Sequence, residues 1–218
     1  MKQICSFCIF LLINFLSSQE IDPELLIIKE RLDSIDSFQA DVKLSIDIDF
    51  INMQPKHAQM TYRKNKPMEF ESDDFIMIPK RGLDLSMREL FQYPFITVDR
   101  GTEKLQGTLL KKLNIIPTDS KADFAIATLW LNTEAKRIEK TEISTKKDGT
   151  FSIVMDYKMH EDILPEEVII NFEIEKIKLP IQYLGKDIDV ERKKMKAQDV
   201  KTGSIHLNIS NYKIEKLP

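Results

Sequence analysis

Residues 41–50 read Asp41-Val42-Lys43-Leu44-Ser45-Ile46-Asp47-Ile48-Asp49-Phe50. Polar and apolar side chains exchange at every step for five full periods. Successive side chains of a strand point to opposite faces, so Val42, Leu44, Ile46, Ile48 and Phe50 share a dry face while their neighbours meet water. One dry and one wet face is the habit of antiparallel sheets. The rhythm recurs in both directions along the chain. Ala58, Met60 and Tyr62 alternate with polar residues, as do Met68 and Phe70 after a turn at 65–67. A ribbon follows Pro94 through Ile96 and Val98, turns near Gly101 and returns through Leu109 to Ile116. Strands are expected at 124–131, 136–145 and 150–159, the last two joined by Lys147-Asp148-Gly149, a short hairpin loop with glycine in the left-handed position. Val168, Ile170, Phe172, Ile174 and Ile177 mark another strand, and Ile205, Leu207, Ile209 and Tyr212 the last.

Helical signals are few. Ile21, Leu25, Ile28, Leu32 and Ile35 recur at spacings of 4, 3, 4 and 3, one apolar stripe on a helix. Asp22 followed by Pro23 supplies a capping acceptor and a first residue with pre-set φ. Ser86-Met87-Arg88-Glu89 is a capping box that opens a short helix before Pro94. Strands do not alternate with full-length helices, which excludes a parallel doubly wound sheet. The expectation is an α+β chain, mainly antiparallel β: a curled meander with one N-terminal and one short helix against it.

The chain has 218 residues, 42% apolar and 31% charged, with 32 basic against 35 acidic side chains. The resulting charge of −3 argues against nucleic acid as the main partner, because phosphate binding needs a basic face. Only 6 glycines and 9 prolines exclude a collagenous or low-complexity chain. A chain this long buries roughly 70% of its unfolded surface and needs no disulfide or metal staple.

Residues 1–19 form a separate unit. Lys2 precedes a mostly apolar run over 4–16, followed by Ser17, Ser18, Gln19 and Glu20. This is the layout of a secretory signal peptide, with cleavage expected near 19–20, and the run is too short to span a bilayer. Cys5 and Cys8 lie inside it, ahead of most of the apolar core, which does not fit a lipid-attachment site. The mature chain, 20–218, would be a single domain without cysteine, hence without disulfide, thiolate nucleophile or thiolate metal site. An exported, soluble, mildly acidic protein is expected.

Catalytic motifs are absent from the sequence: no glycine-rich phosphate loop, no paired-histidine zinc motif and no nucleophile elbow. His57, His160 and His206 are far apart, and His160-Glu161-Asp162 reads as a solvated loop triplet. Ser144-x-x-Lys147 and Lys201-Thr202-Gly203 match two penicillin-binding elements, but the middle element is missing and Ser144 falls on a strand. Asp47 and Asp49 share a wet face, whereas a paired-carboxylate hydrolase needs one carboxyl in an apolar cleft. The expectation is no enzyme, no cofactor and no metal.

The sequence is rich instead in large apolar side chains on one face of a curled sheet: Ile46, Ile48, Phe50, Met60, Tyr62, Phe70, Trp130, Met155, Phe172 and Ile174. They read either as an ordinary core or as the lining of a cavity for an apolar ligand. Residues 185–201 carry Arg192, Lys193, Lys194 and Lys196 in close order, a solvated mobile loop or a contact site for an acidic partner or membrane headgroups.

Several segments carry a family resemblance. They are Phe124-Ala125-Ile126-Ala127-Thr128-Leu129-Trp130-Leu131, the charged strand Lys136-Arg137-Ile138-Glu139-Lys140, Asp148-Gly149-Thr150-Phe151-Ser152-Ile153-Val154-Met155, Leu164-Pro165-Glu166-Glu167-Val168, and the closing Ser210-Asn211-Tyr212-Lys213-Ile214. Together with the segments at 47–53 and 78–82, this resembles the LolA-like outer-membrane lipoprotein-sorting proteins, especially the Bacteroidetes type, over nearly the whole mature chain. The resemblance implies an incomplete, half-open antiparallel β-barrel under a helical lid, to which Met87, Leu90 and Phe91 would contribute. It implies a monomeric periplasmic carrier that holds acyl chains of lipoproteins, or another lipid, in an apolar cavity and works with sorting partners at the inner and outer membranes. A non-transporting envelope lipid-binding or interaction protein of the same fold is the alternative. The resemblance also implies an arginine that holds the lid shut, with Arg63, Arg81 and Arg88 near the presumed lid.

Overall fold

The computed structural model describes residues 21–72, 88–174 and 188–217. Helix α1 (Pro23–Asp33) is followed by β1 (Ile35–Asp47), β2 (Ile51–Met53), β3 (Lys56–Arg63) and β4 (Glu69–Glu71). Then come α2 (Arg88–Phe91), β5 (Phe95–Leu105), β6 (Thr108–Pro117), β7 (Phe124–Asn132), β8 (Arg137–Thr145), β9 (Thr150–Asp156) and β10 (Glu167–Ile174). The chain closes with β11 (Ile188–Val190), α3 (Arg192–Ala197) and β12 (Lys201–Lys216).

Among the described residues ten strands form one sheet in the order β4-β3-β1-β12-β10-β9-β8-β7-β6-β5, and β2 pairs with β11 apart from it. Every pairing is antiparallel. From β5 to β10 the sheet is a plain meander. The long β12 then inserts between β10 and β1, so the last strand stitches the two ends of the chain into one sheet. This is the incomplete barrel with covering helices that the sequence led us to expect.

The register carries a continuous apolar row across the sheet's inner face. Leu44 lies opposite Leu207, which lies opposite Val168 and then Met155. Ile46, Ile205, Ile170 and Ile153 form the next row. On the far side Ile115 and Leu113 pair with Ala127 and Leu129. Helix α1 lays Leu25 and Ile28, both fully buried, onto that far side. Apolar burial at about 25 cal/mol per Å² is what holds so non-local a sheet together.

Several boundaries differ from those read in the sequence. The helix ends at Asp33, and Ile35 already belongs to β1, because the stripe that looked helical runs into the dry face of the strand. The alternation at 41–50 outlasts its ladder: β1 stops at Asp47, and Ile48 bridges only to Ile51 around a tight turn. The β5–β6 ribbon turns at Gln106 and Gly107, both with positive φ, while Gly101 (φ +79°) makes a bulge within β5. Strand β9 ends at Asp156, short of Met159. The polar stretch at 185–201 is not one loop, since it contains β11 and α3, and Ile177 lies outside the described residues.

Gly203 stands opposite Phe172 on the dry face. A Cβ there would lie 2.7 Å from Ile48 Cγ1, 2.9 Å from the Asp47 carbonyl oxygen and 2.9 Å from Phe172 Cζ. Backbone cannot yield as a side-chain end can, so Gly203→Ala should lower stability by about 1–3 kcal/mol. The check is urea unfolding: a lower midpoint at unchanged slope is expected, and an unshifted midpoint contradicts the packing.

Candidate ligand-binding interior

The dry face gathers into three buried clusters. The first is built on β1, β3, β10 and β12 around Val42, Met60, Val168, Ile170 and Leu207. The second lies under α1 around Leu113, Ile115, Leu129 and Leu131. The third closes one end with Ile48, Phe50, Ile51 and Phe172. Ile143 and Met155 touch both the first and second, and Ile46, Met53 and Ile205 touch both the first and third. The interior is therefore one connected apolar body with three lobes.

Most of the expected lining residues fall on it. Met60 is buried in the first lobe, with Ile46, Tyr62, Phe70 and Met155 packed against it. Ile48, Phe50 and Phe172 make the third, with Ile174 beside them. Leu90 is buried in the second, and Phe91 packs against it. Phe91 meets Phe95 edge-on at 5.2 Å between ring centres. Met87 lies outside the described residues.

Trp130 is the exception, and its placement corrects the sequence reading. Leu129 and Leu131 both belong to the lobe beneath α1, and ordinary strand alternation between them sends the indole to the opposite face; an irregularity between Phe124 and Ile126 puts the odd positions, rather than the even ones, on the side of Phe124. There Trp130 sits between its two cross-strand neighbours, with Lys112 Nζ 4.8 Å and Lys140 Nζ 4.5 Å from the ring centre. Those cations and their stems bury it to 3% exposure, an arrangement of charge over an aromatic face. Its N–H lies near the Glu103 carboxylate without a hydrogen bond of normal geometry. Glu103 itself is held below the usual carboxylate range, chiefly by the 2.8 Å hydrogen bond from Lys112.

Helix α1 covers its lobe under polar restraint at both ends. At its start, Asp22 Oδ1 accepts from the Glu24 and Leu25 N–H groups at 3.0 and 3.4 Å. Asp22 Oδ2 meets Lys111 Nζ at 2.6 Å, and the Asp22 N–H donates to Thr97 Oγ1 at 3.1 Å. At its other end, the Arg31 guanidinium donates to the carbonyls of Ala135, Lys136 and Glu161. A single side chain thereby ties α1 to the β7–β8 turn and to the loop after β9. Arg31 went unnoticed in the sequence, because its acceptors are backbone carbonyls more than a hundred residues away. Of the arginines singled out there, Arg63 pairs with Glu69 at 3.0 Å on the β3–β4 hairpin. Arg81 and the side chain of Arg88 lie outside the described residues.

A cavity of about 30 Å³ lies between Leu32, Ile138, Met155, Tyr157, Leu164 and Pro165 at the end of α1. That is room for about one water. Tyr157 and Tyr212 close the region by donating to the Ile138 and Pro165 carbonyls, each at 2.8 Å. Burial pushes both phenols well above the ordinary tyrosine value. Among the described residues no cluster of three or more metal-ligating side chains is present, and no helix is long and apolar enough to cross a membrane.

No protein-family model matches the chain, and no curated protein does either. Solved structures do match in fold. A DUF1329 family protein from Desulfovibrio piger aligns at TM-score 0.53 and 9% identity, over 88% of this chain and 92% of its own. A LolA superfamily protein from Nitrosomonas europaea aligns at TM-score 0.49 and 14% identity, over 89% and 94%. A Vibrio parahaemolyticus domain, proposed to be one of outer membrane lipoprotein sorting, aligns at 0.46 and 15%, over 88% and 92%. The fold comparison rests on the first of these, and at such identities it concerns architecture alone.

The Lys111 latch makes a pH-dependent prediction. Desolvation lowers the lysine, but the hydrogen bond to Asp22 and the charges of Asp22, Asp99 and Glu24 outweigh it, so the group stands above its ordinary value. A raised lysine contributes fully below its unfolded value and loses its contribution as pH rises through the folded one. Tyr157 and Tyr212, also raised, lose theirs once pH exceeds the unfolded tyrosine value. Lys111→Met keeps the tyrosines and removes the latch. Urea midpoints measured from neutral pH to above about pH 10.4 should fall more steeply in the wild type than in this variant. Parallel curves would contradict the latch.

Proposed function

We propose that the protein binds acyl chains in its apolar interior and carries them, as lipoprotein or free lipid, across the periplasm toward the outer membrane. The observation that carries this reading is the connected apolar body covered by a helix whose two ends are held by polar contacts. A cover pinned by a few hydrogen bonds can lift while the strand ladders stay intact, whereas a strand cannot leave its sheet without unfolding it. Each CH₂ removed from water is worth about 0.8 kcal/mol, so a long acyl chain repays the opening of α1. The LolA-like resemblance of the sequence, the signal-like layout expected for residues 1–19 and the shared fold support the same reading. No catalytic role is proposed.

A second reading draws on the packing of the dry face, where side chains of the described residues join in clusters as an ordinary core does. An envelope interaction protein of this fold, binding through its outer surface, would look the same. The two readings differ in what happens when α1 is loosened.

Arg31→Ala removes the tie at the end of α1 without touching the apolar lining. For a carrier, this variant should exchange an environment-sensitive fatty-acid probe several-fold faster than wild type while its stability falls by about 1–3 kcal/mol. Stopped-flow fluorescence reads the exchange. No probe uptake by either protein would leave the filled-core reading standing.

A further inference from the structure

Helix α3 carries four consecutive or near-consecutive cations, Arg192, Lys193, Lys194 and Lys196, on six residues. Its only side chain that is not exposed is Met195, which packs against the lobe of Ile48, Phe50 and Phe172. The helix is fixed there by two further contacts. The Glu191 N–H donates to the Phe50 carbonyl at 2.9 Å, and Lys194 Nζ donates to the Asp49 carbonyl at 2.7 Å. Arg192, Lys193 and Lys196 make no ion pair with another described residue. Four of the six positions being basic, in a chain of net charge −3, is a local reversal of the protein's electrostatic sign. The acidic neighbours within 188–201, Asp189, Glu191 and Asp199, are fewer than the basic residues of that segment.

The position matters as much as the charge. These cations stand over the end of the apolar interior, and Val200, 43% exposed, adds an apolar side chain beside them. Cations around an apolar body match a bilayer surface, where phosphate headgroups lie over acyl chains, better than they match an acidic peptide, which asks for charge alone. We propose that α3 docks the protein on an anionic phospholipid surface with the Phe50 end of the interior facing the bilayer. This goes beyond acyl binding by naming a surface and its partner. It also gives the interior an orientation at the membrane during loading or release.

The test is co-sedimentation with phosphatidylcholine vesicles and with vesicles that also contain phosphatidylglycerol. Wild type should bind the anionic vesicles, weakly or not at all the neutral ones, and should come off at high salt. Each basic residue near an anionic surface is worth about a fivefold change in partitioning, so Arg192→Gln, Lys193→Gln and Lys196→Gln together should cost on the order of a hundredfold. Exchanging the same three between arginine and lysine should keep the binding. Fatty-acid probe uptake by the glutamine variant should be unchanged, which separates failure of docking from failure of the interior. Equal wild-type binding to both vesicle types, or full binding by the glutamine variant, overturns the proposal. Binding to polyglutamate without binding to either vesicle overturns it too, in favour of an acidic protein partner.

Discussion

A ten-stranded sheet with one dry face has to cover that face, and nearly everything else in this structure follows from how it does so. Curling brings the β1–β12–β10 side and the β6–β7–β8 side round the same apolar body. Among the described residues α1 lies over a substantial part of it, and Leu25 and Ile28 are buried there as deeply as any residue of the strands. The cover is thus part of the core for stability, while remaining outside the ladders that define the sheet.

The division of labour between apolar and polar contacts follows. Burial supplies the energy that keeps α1 down, without fixing its position along the face. Direction comes from Asp22, Lys111 and Thr97 at one end and from Arg31 at the other. The first set lies on β5 and β6, whereas the far end is tied to the β7–β8 turn, to the loop after β9 and, through Lys64 on the Asp33 carbonyl, to the β3–β4 hairpin. The lobe of Val42, Met60, Val168 and Ile170 lies outside α1's direct grip.

The fold was largely legible because its signals are local. Alternation at 41–50, the glycine at 149 and the Asp22-Pro23 helix start each depend on neighbouring residues alone, and each lies where the sequence put it apart from shifts of a few positions. Period two likewise sends Ile46, Met60, Met155 and Phe172 to the apolar face. Trp130 falls on the other face because an irregularity between Phe124 and Ile126 puts Ala127, Leu129 and Leu131 on the side of Phe124, and no residue type announces it. Gly101 and Gly107 were confused because either glycine fits a turn, and only the pairing of β5 with β6 decides between them. Arg31 was invisible since its partners are carbonyls, which every residue possesses. The short strand and helix within 185–201 form against Asn52 and Phe50, contacts no window of sequence contains.

The central claim is that the interior opens to hold acyl chains. The most direct measurement is native mass spectrometry, with lipid extraction, of the protein expressed from its full sequence and purified without detergent. The account predicts a stoichiometric acyl ligand, displaced by added fatty acid. A clean ligand-free mass that stays unchanged after incubation with fatty acid or triacylated lipopeptide would contradict it.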